Sequence, residues 1–259
     1  LEFGVLTSIG GGGQVDINYN VMDRIGLPIS ILNANQSTTI LANRVTFNDV
    51  DSYAASSGLG TTAIYVASTA ASPDTNTTTI KKNTLTDGGL SAGGVAILVG
   101  QMEKGIAHNM TVAGNTFQGV SANTAGGGLA AIDTQDGLIS GNRFLSAAGN
   151  WIDIRSGDAS QGFVGREILG WAIVANEFSA STANTDILLG EGTSGAIVGR
   201  SQGFPKVDDL TGENDVLESY TASNAAFAQQ RSSLRPTAEP TELFHMQLLT
   251  LMRLDPLPD

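Results

Sequence analysis

The chain contains no cysteine, which excludes disulfides, thiolate nucleophiles and Cys-ligated metals together. It has 2 histidines, His108 and His245, far apart along the sequence. That argues against a His-rich metal site or a Ser-His-Asp triad. Charge is also scarce: charged residues make up 15% of the chain, and 13 Lys and Arg face 25 Asp and Glu for a net −12. Phosphate recognition needs clustered Lys and Arg, so nucleic acid is not an expected partner. An anionic polysaccharide could approach this acidic surface only through a metal or a local basic patch. No apolar run reaches the roughly 18 residues that a membrane-spanning helix needs. The Gly10–Gly13 run lacks the Gly-Lys-Ser/Thr ending of a phosphate loop.

What the sequence does have is repetition. The phrase apolar, two residues, Asn, one residue, apolar occurs at Ile17–Met22, Ile40–Val45, Ile80–Leu85, Val112–Phe117, Ile139–Phe144 and Ile173–Phe178. A degenerate copy is read at Ile197–Gln202. The six asparagines are Asn20, Asn43, Asn83, Asn115, Asn142 and Asn176, separated by 23, 40, 32, 27 and 34 residues. Self-similarity at a period of about 20–50 residues means a repeat architecture.

A second phrase precedes most copies. Five segments align without gaps: Thr62–Thr69 (TAIYVAST), Gly94–Gln101 (GVAILVGQ), Gly128–Gln135 (GLAAIDTQ), Asn150–Gly157 (NWIDIRSG) and Thr185–Gly192 (TDILLGEG). Their third and fifth positions, Ile64/Val66, Ala96/Leu98, Ala130/Ile132, Ile152/Ile154 and Ile187/Leu189, are all apolar. Period-two apolarity puts these positions on the core face of a strand. Each repeat is therefore a strand, a turn, a second strand ending in Asn and a short third strand.

This pattern resembles the right-handed parallel β-helix of the pectate-lyase-like superfamily, over roughly Asp16 to Arg200. The resemblance implies that the Asn residues stack in one turn as a hydrogen-bonded ladder. Asn suits such a place because it tolerates a left-handed backbone and carries both donor and acceptor. The fold expected is thus all-β, a β-solenoid with an Asn ladder, spanning residues 1–204. Residues 205–259 are expected to form a C-terminal cap and docking tail. In that tail a candidate helix lies near Asp215–Gln229, a proline-bearing linker at Arg231–Pro240 and an apolar helix at Thr241–Leu254.

Equal positions on successive coils stack about 4.8 Å apart, so aligned outward residues define a candidate site. The fourth and sixth positions put Asp153, Arg155 and Asp133 together as candidate catalytic residues, since carboxylates beside an Arg can do acid–base work on a sugar. Tyr65, Gln135, Trp151, Asp158 and Glu191 are the candidate ligand-binding residues around them. In the lyases of the superfamily, acidic side chains hold calcium on this face and an Arg or Lys takes the proton. This chain has no DxD pair on these strands and no Lys between Lys104 and Lys206. Fold alone does not confer an activity. The same alignment leaves Val95, Ile97, Val99, Leu129, Ala131, Trp151 and Leu188 facing outward. An apolar patch of that kind marks an interface.

The expected function is a non-catalytic structural or adhesive β-solenoid of a virion or cell surface, extracellular, glycan-facing and oligomeric. Its homo-oligomer would form through the apolar strand face and residues 241–254. No cofactor and no metal are expected for it. The competing expectation is a polysaccharide lyase or glycoside hydrolase, tailspike depolymerases included, with calcium if it is a lyase.

Overall fold

The structure is a computed structural model that describes residues 3–8, 14–32, 37–47, 61–68, 77–87, 94–101, 109–119, 127–145, 151–157, 167–179, 185–203 and 205–217. Among the described residues every regular element is a strand. Three long sheets carry nearly all of them, and every strand pair within these sheets is parallel.

The first six coils each give one strand to each sheet in turn, and the last two give strands to the first and second sheets. The first sheet runs Phe3–Ser8, Leu27–Leu32, Thr61–Ser68, Gly94–Gln101, Leu129–Ile132, Ile152–Arg155, Ile187–Leu189 and Val207–Asp209. The second runs Gln14–Asn18, Ser37–Leu41, Thr78–Lys81, Met110–Ala113, Gly137–Ser140, Ala172–Val174, Ile197–Val198 and Asp215–Val216. The third runs Val21–Ile25, Arg44–Phe47, Thr84–Asp87, Thr116–Gln118, Arg143–Leu145 and Glu177–Phe178. Sequence order and spatial order coincide in all three, as expected of a parallel β-solenoid in which each coil touches only its neighbours.

The core is a set of stacked columns. Ile17, Ile40, Ile80, Val112, Ile139, Ile173 and Val198 follow one another in register down the second sheet. All are buried. In the third sheet the column is Met22, Val45, Leu85, Phe117, Phe144 and Phe178. The three phenylalanines stack with ring centroids 4.6 and 5.0 Å apart. Trp171 is the second large core ring beside Trp151. It lies directly over Gly137, where any β-carbon would enter its six-membered ring. Its Nε1 donates to Thr134 Oγ1 at 3.2 Å.

The asparagines form one continuous hydrogen-bonded column. The Nδ2 of Asn20, Asn43, Asn83, Asn115 and Asn142 donates to Oδ1 of the next, at 2.9–3.0 Å. The backbone N–H of each donates to the same oxygen. From Asn43 onward, Nδ2 also donates to a carbonyl of the previous coil: Ile17, Ile40, Ile80, Val112 and Ile139 in turn. A buried Asn in this column therefore uses both amide hydrogens and both lone pairs of its oxygen.

Several expectations need correction. The left-handed backbone belongs to the residue before each Asn: Tyr19, Ala42, Lys82, Gly114, Gly141 and Ala175 have φ of 60, 55, 56, 63, 61 and 55°. The Asn stabilises the turn from the following position through its side chain. The degenerate copy is shifted by one residue. Ile173 pairs with Val198, so Ser201, not Arg200, occupies the Asn place, and Asn176 N–H donates to Ser201 Oγ. Strand pairing also continues past Phe204, through Val207–Asp209 and Asp215–Val216. The candidate helix at Asp215–Gln229 therefore starts in a strand. Residues 218–229, the linker at 231–240 and the segment 241–254 lie outside the described residues.

Candidate functional site

The register of the first sheet decides which side chains share its outer face. Ile29, Ile64, Ile97, Leu129, Ile152 and Ile187 form one column. Ile31, Val66, Val99, Ala131, Ile154 and Leu189 form another. Both belong to the hydrophobic core. The gapless alignment is thus right for the Thr62, Asn150 and Thr185 segments and off by one residue for the Gly94 and Gly128 segments. A one-residue slip moves every side chain to the other face. Ile97, Val99, Leu129 and Ala131, read as outward, are core residues, and so is Trp151, 5.3 Å from Phe144.

Between the two core columns lies the outward one: Ser30, Tyr65, Leu98, Ala130, Asp153, Leu188 and Asp208. Ser30, Tyr65, Leu98, Ala130 and Asp153 are all buried, although none of them belongs to the core cluster. Burial pushes the Tyr65 phenol up to about 12.

Asp153 stands out in this column. Its side chain is 0% exposed, and neither carboxylate oxygen has a hydrogen-bond partner. Arg155, two residues along the same strand, brings Nε to 3.6 Å of Oδ2 and keeps 34% of its side chain exposed. Removal from water disfavours the anion and pushes the Asp153 carboxyl up to about 7; the Arg155 charge opposes this and does not cancel it.

The third candidate catalytic residue lies one residue past the Arg155 level, in the turn that follows the strand. Arg155 pairs with Ile132 and Asp153 with Ala130. Asp133 is therefore three residues past the Asp153 level, about 10 Å of extended chain. It occupies a left-handed turn with φ of 51°, and its Oδ1 accepts the Gly157 N–H at 2.8 Å. Asp133 thus holds the turn after the strand, and its N–H donates to the Arg155 carbonyl at 3.3 Å.

The remaining candidates are dispersed. Gln135 Nε2 donates to the Glu167 carbonyl at 3.2 Å. Glu191 is exposed in a turn, and its carbonyl accepts the Ser156 N–H. Asp158 lies outside the described residues. Among the described residues no three His, Asp or Glu side chains gather as a metal-binding group. Sequence reading missed Thr134, whose hydroxyl receives the Trp171 N–H, and Asp186, whose Oδ2 accepts the Lys206 N–H at 2.9 Å while Oδ1 stays buried and unpaired. No periodic signal marks these turn residues, because each serves a single pair of coils.

The arrangement can hold one proton near neutrality beside one guanidinium. Among the described residues, the next carboxylate in the same outward column is Asp208, two strands from Asp153 across Leu188. Comparison with known proteins finds no matching family model, no matching curated protein and no matching solved structure.

Proposed function

We propose that this chain is a non-catalytic structural or adhesive β-solenoid. In this reading it is a right-handed parallel β-helix of the pectate-lyase-like type, displayed outside the cell on a virion or cell surface. It faces glycans and works as part of an oligomer. The observation that carries the reading is the fate of the candidate acid–base group. Asp153 is 0% exposed, while Asp133 is engaged in turn formation with Gly157. Buried, separated carboxylates suit a scaffold better than a reaction centre. The continuous Asn column also favours a stiff rod over a deformable site, since each amide bonds to the coils on both sides. No cofactor enters this reading.

One observation favours the enzyme alternative, a polysaccharide lyase or glycosidase. A carboxyl pushed up to about 7 beside an Arg is the kind of perturbed group that proton-transfer sites use. The two readings separate in one experiment. Full-length protein is incubated with acidic and neutral polysaccharides, with and without calcium, and assayed for reducing ends and unsaturated products, with glycan-array binding alongside. The scaffold reading expects no product from wild type or from Asp153→Asn. Product formation that disappears in Asp153→Asn and Arg155→Ala would replace it with the enzyme.

A further inference from the structure

The corner between the second and third sheets is the most regular part of the solenoid. All six phrases from Ile17–Met22 to Ile173–Phe178 have the same length, so the changes of spacing fall at the two corners that flank the first sheet. The second to fifth coils cross the regular corner in the stretches 37–47, 77–86, 109–119 and 137–145. Those stretches contain Arg44, Lys81, Lys82 and Arg143 and not one Asp or Glu. In a chain with 25 acids and a net charge of −12, four successive coils therefore present a band of positive charge.

Leu41 pairs with Lys81 and Arg44 with Thr84, so Arg44 and the two lysines lie on neighbouring coils, about 4.8 Å apart along the axis. Arg44 and Lys82 are exposed, and Lys81 is half-buried. None of the three has an ion-pair partner among the described residues, whereas Arg143 is held by Glu177 at 2.7 Å. Lys82 precedes Asn83 and has a φ of 56°. The next two coils fill that place with Gly114 and Gly141, which adopt a left-handed backbone without strain. Both glycines are exposed, and a β-carbon on Gly114 would lie 3.8 Å from Lys82 Cγ. The lysine stem thus leans along the axis over a floor of bare backbone. On either side of that floor, Thr79 pairs with Thr111 on the second sheet and Thr84 with Thr116 on the third. All four threonines are half-buried on the outer faces of these sheets.

We propose that this corner is a binding site for an acidic polysaccharide, which lies along the solenoid axis with its anions against Arg44, Lys81 and Lys82 and its hydroxyls on the threonines. The site rests on the glycan-facing reading above and gives it a place and a charge class. It is separate from Asp153 and Arg155, which belong to the first sheet. The net negative charge of the chain repels a polyanion as a whole, so contact is confined to the band and weakens as salt screens it. Duplex nucleic acid carries one charge about every 1.7 Å and needs many phosphate contacts to stay bound at physiological salt. Three unpaired cations do not supply them. The aromatic rings in these stretches, Phe47, Phe117 and Phe144, are all in the core, so none is left for stacking single-stranded bases.

The test is titration calorimetry of the full chain with alginate, dextran sulfate, unsubstituted dextran and a DNA duplex, at low and at high salt. The expected result is binding of alginate, dextran sulfate or both at low salt, loosened at high salt, and none of dextran. Alginate would assign the anion to a carboxylate and dextran sulfate to a sulfate ester. Lys82→Glu should weaken binding by about tenfold or more, while Lys206→Glu, the same change of charge outside the band, should leave it within about twofold. Lys82→Gly removes the cation at a backbone that glycine adopts without strain, so its loss of affinity cannot be a loss of fold. Full affinity in Lys82→Gly, an equal loss in Lys206→Glu or tighter binding of the DNA duplex overturns the site. Failure of both acidic polymers overturns it as well; if neutral glycans still bind on the array, the glycan-facing reading survives without it.

Discussion

The turn between the second and third sheets and the outer face of the first sheet are built from the same coils, yet they are specified differently. In the turn, one side chain per coil makes four hydrogen bonds, two of them to carbonyl or amide groups fixed by the fold. A displaced Asn would strand several buried polar atoms, so the register has a single solution. On the first sheet, strands such as Val95–Val99 and Leu129–Ile132 are apolar on both faces and buried on both faces. Either face could serve as the core, and local composition does not choose between them. Their register is imposed by the polar turns on either side.

The largest effect is expected where the turn is broken. Asn115→Ala removes the acceptor of the Asn83 N–H and Nδ2 and the donor to the Ile80 carbonyl, all deep in the fold. Each buried polar group left unsatisfied costs about 1–3 kcal/mol, so a loss of about 4 kcal/mol is expected in chemical denaturation. A loss below about 1 kcal/mol would mean that the sheets hold the register without the column.

The next effect lies on the other side of the comparison and has the opposite sign. Asp153 has its carboxyl raised from 3.8 to about 7 in the folded chain. The unfolded chain releases this proton first as pH rises. The native state is then penalised progressively from about pH 4 to about pH 7, and the full penalty persists above that. At 1.36 kcal/mol per unit, the penalty approaches about 4 kcal/mol as an upper bound. Asp153→Asn should therefore raise stability at pH 8 and flatten its fall between pH 4 and pH 7. Unchanged pH dependence in this variant would show that Arg155 already neutralises the carboxylate.

This contrast also explains what the sequence could and could not reveal. The all-β solenoid is legible from Asn20 to Asn176, because each Asn comes with apolar residues three before and two after. Those residues are the core columns of the second and third sheets. The candidate site is less legible. The alignment sets Gly128 against Asn150 and so Asp133 level with Arg155, whereas Leu129 pairs with Ile152 and Asp133 lies one residue further on. The insertions that vary the spacing from 27 to 34 residues lie next to these strands, and no polar residue in GLAAI fixes the phase. The face of Asp153 and Arg155 is legible because Ile152 and Ile154 bracket an acid, and a charge chooses a face where an alanine does not.

A smaller effect tests the packing that supports the turn. Gly137 lies under the Trp171 ring, and a β-carbon there would overlap it. Gly137→Ala should cost about 2 kcal/mol, as overpacking in a dense core does. It should also shift the near-ultraviolet circular dichroism of Trp171. The same substitution costing nothing would mean that the ring moves freely, and Thr134 would then be an optional partner.

The smallest effect comes from extending the column. Ser201 occupies the seventh Asn place, and its hydroxyl accepts the Asn176 N–H at 3.2 Å. Asn176 Nδ2 meanwhile donates to the Ile139 carbonyl. Ser201→Asn would offer an amide oxygen to both Asn176 donors, and one added hydrogen bond is worth about 1 kcal/mol at most places. The gain here should be smaller. The six residues that precede Asn in the column all adopt the left-handed backbone that aims the amide at the previous coil, and Arg200 does not. The seventh turn lacks that backbone, so an amide there should bond less well than in the six turns before it. A stability gain in Ser201→Asn as large as the loss in Asn115→Ala would show that the Asn alone, without the left-handed residue before it, is enough to build the turn.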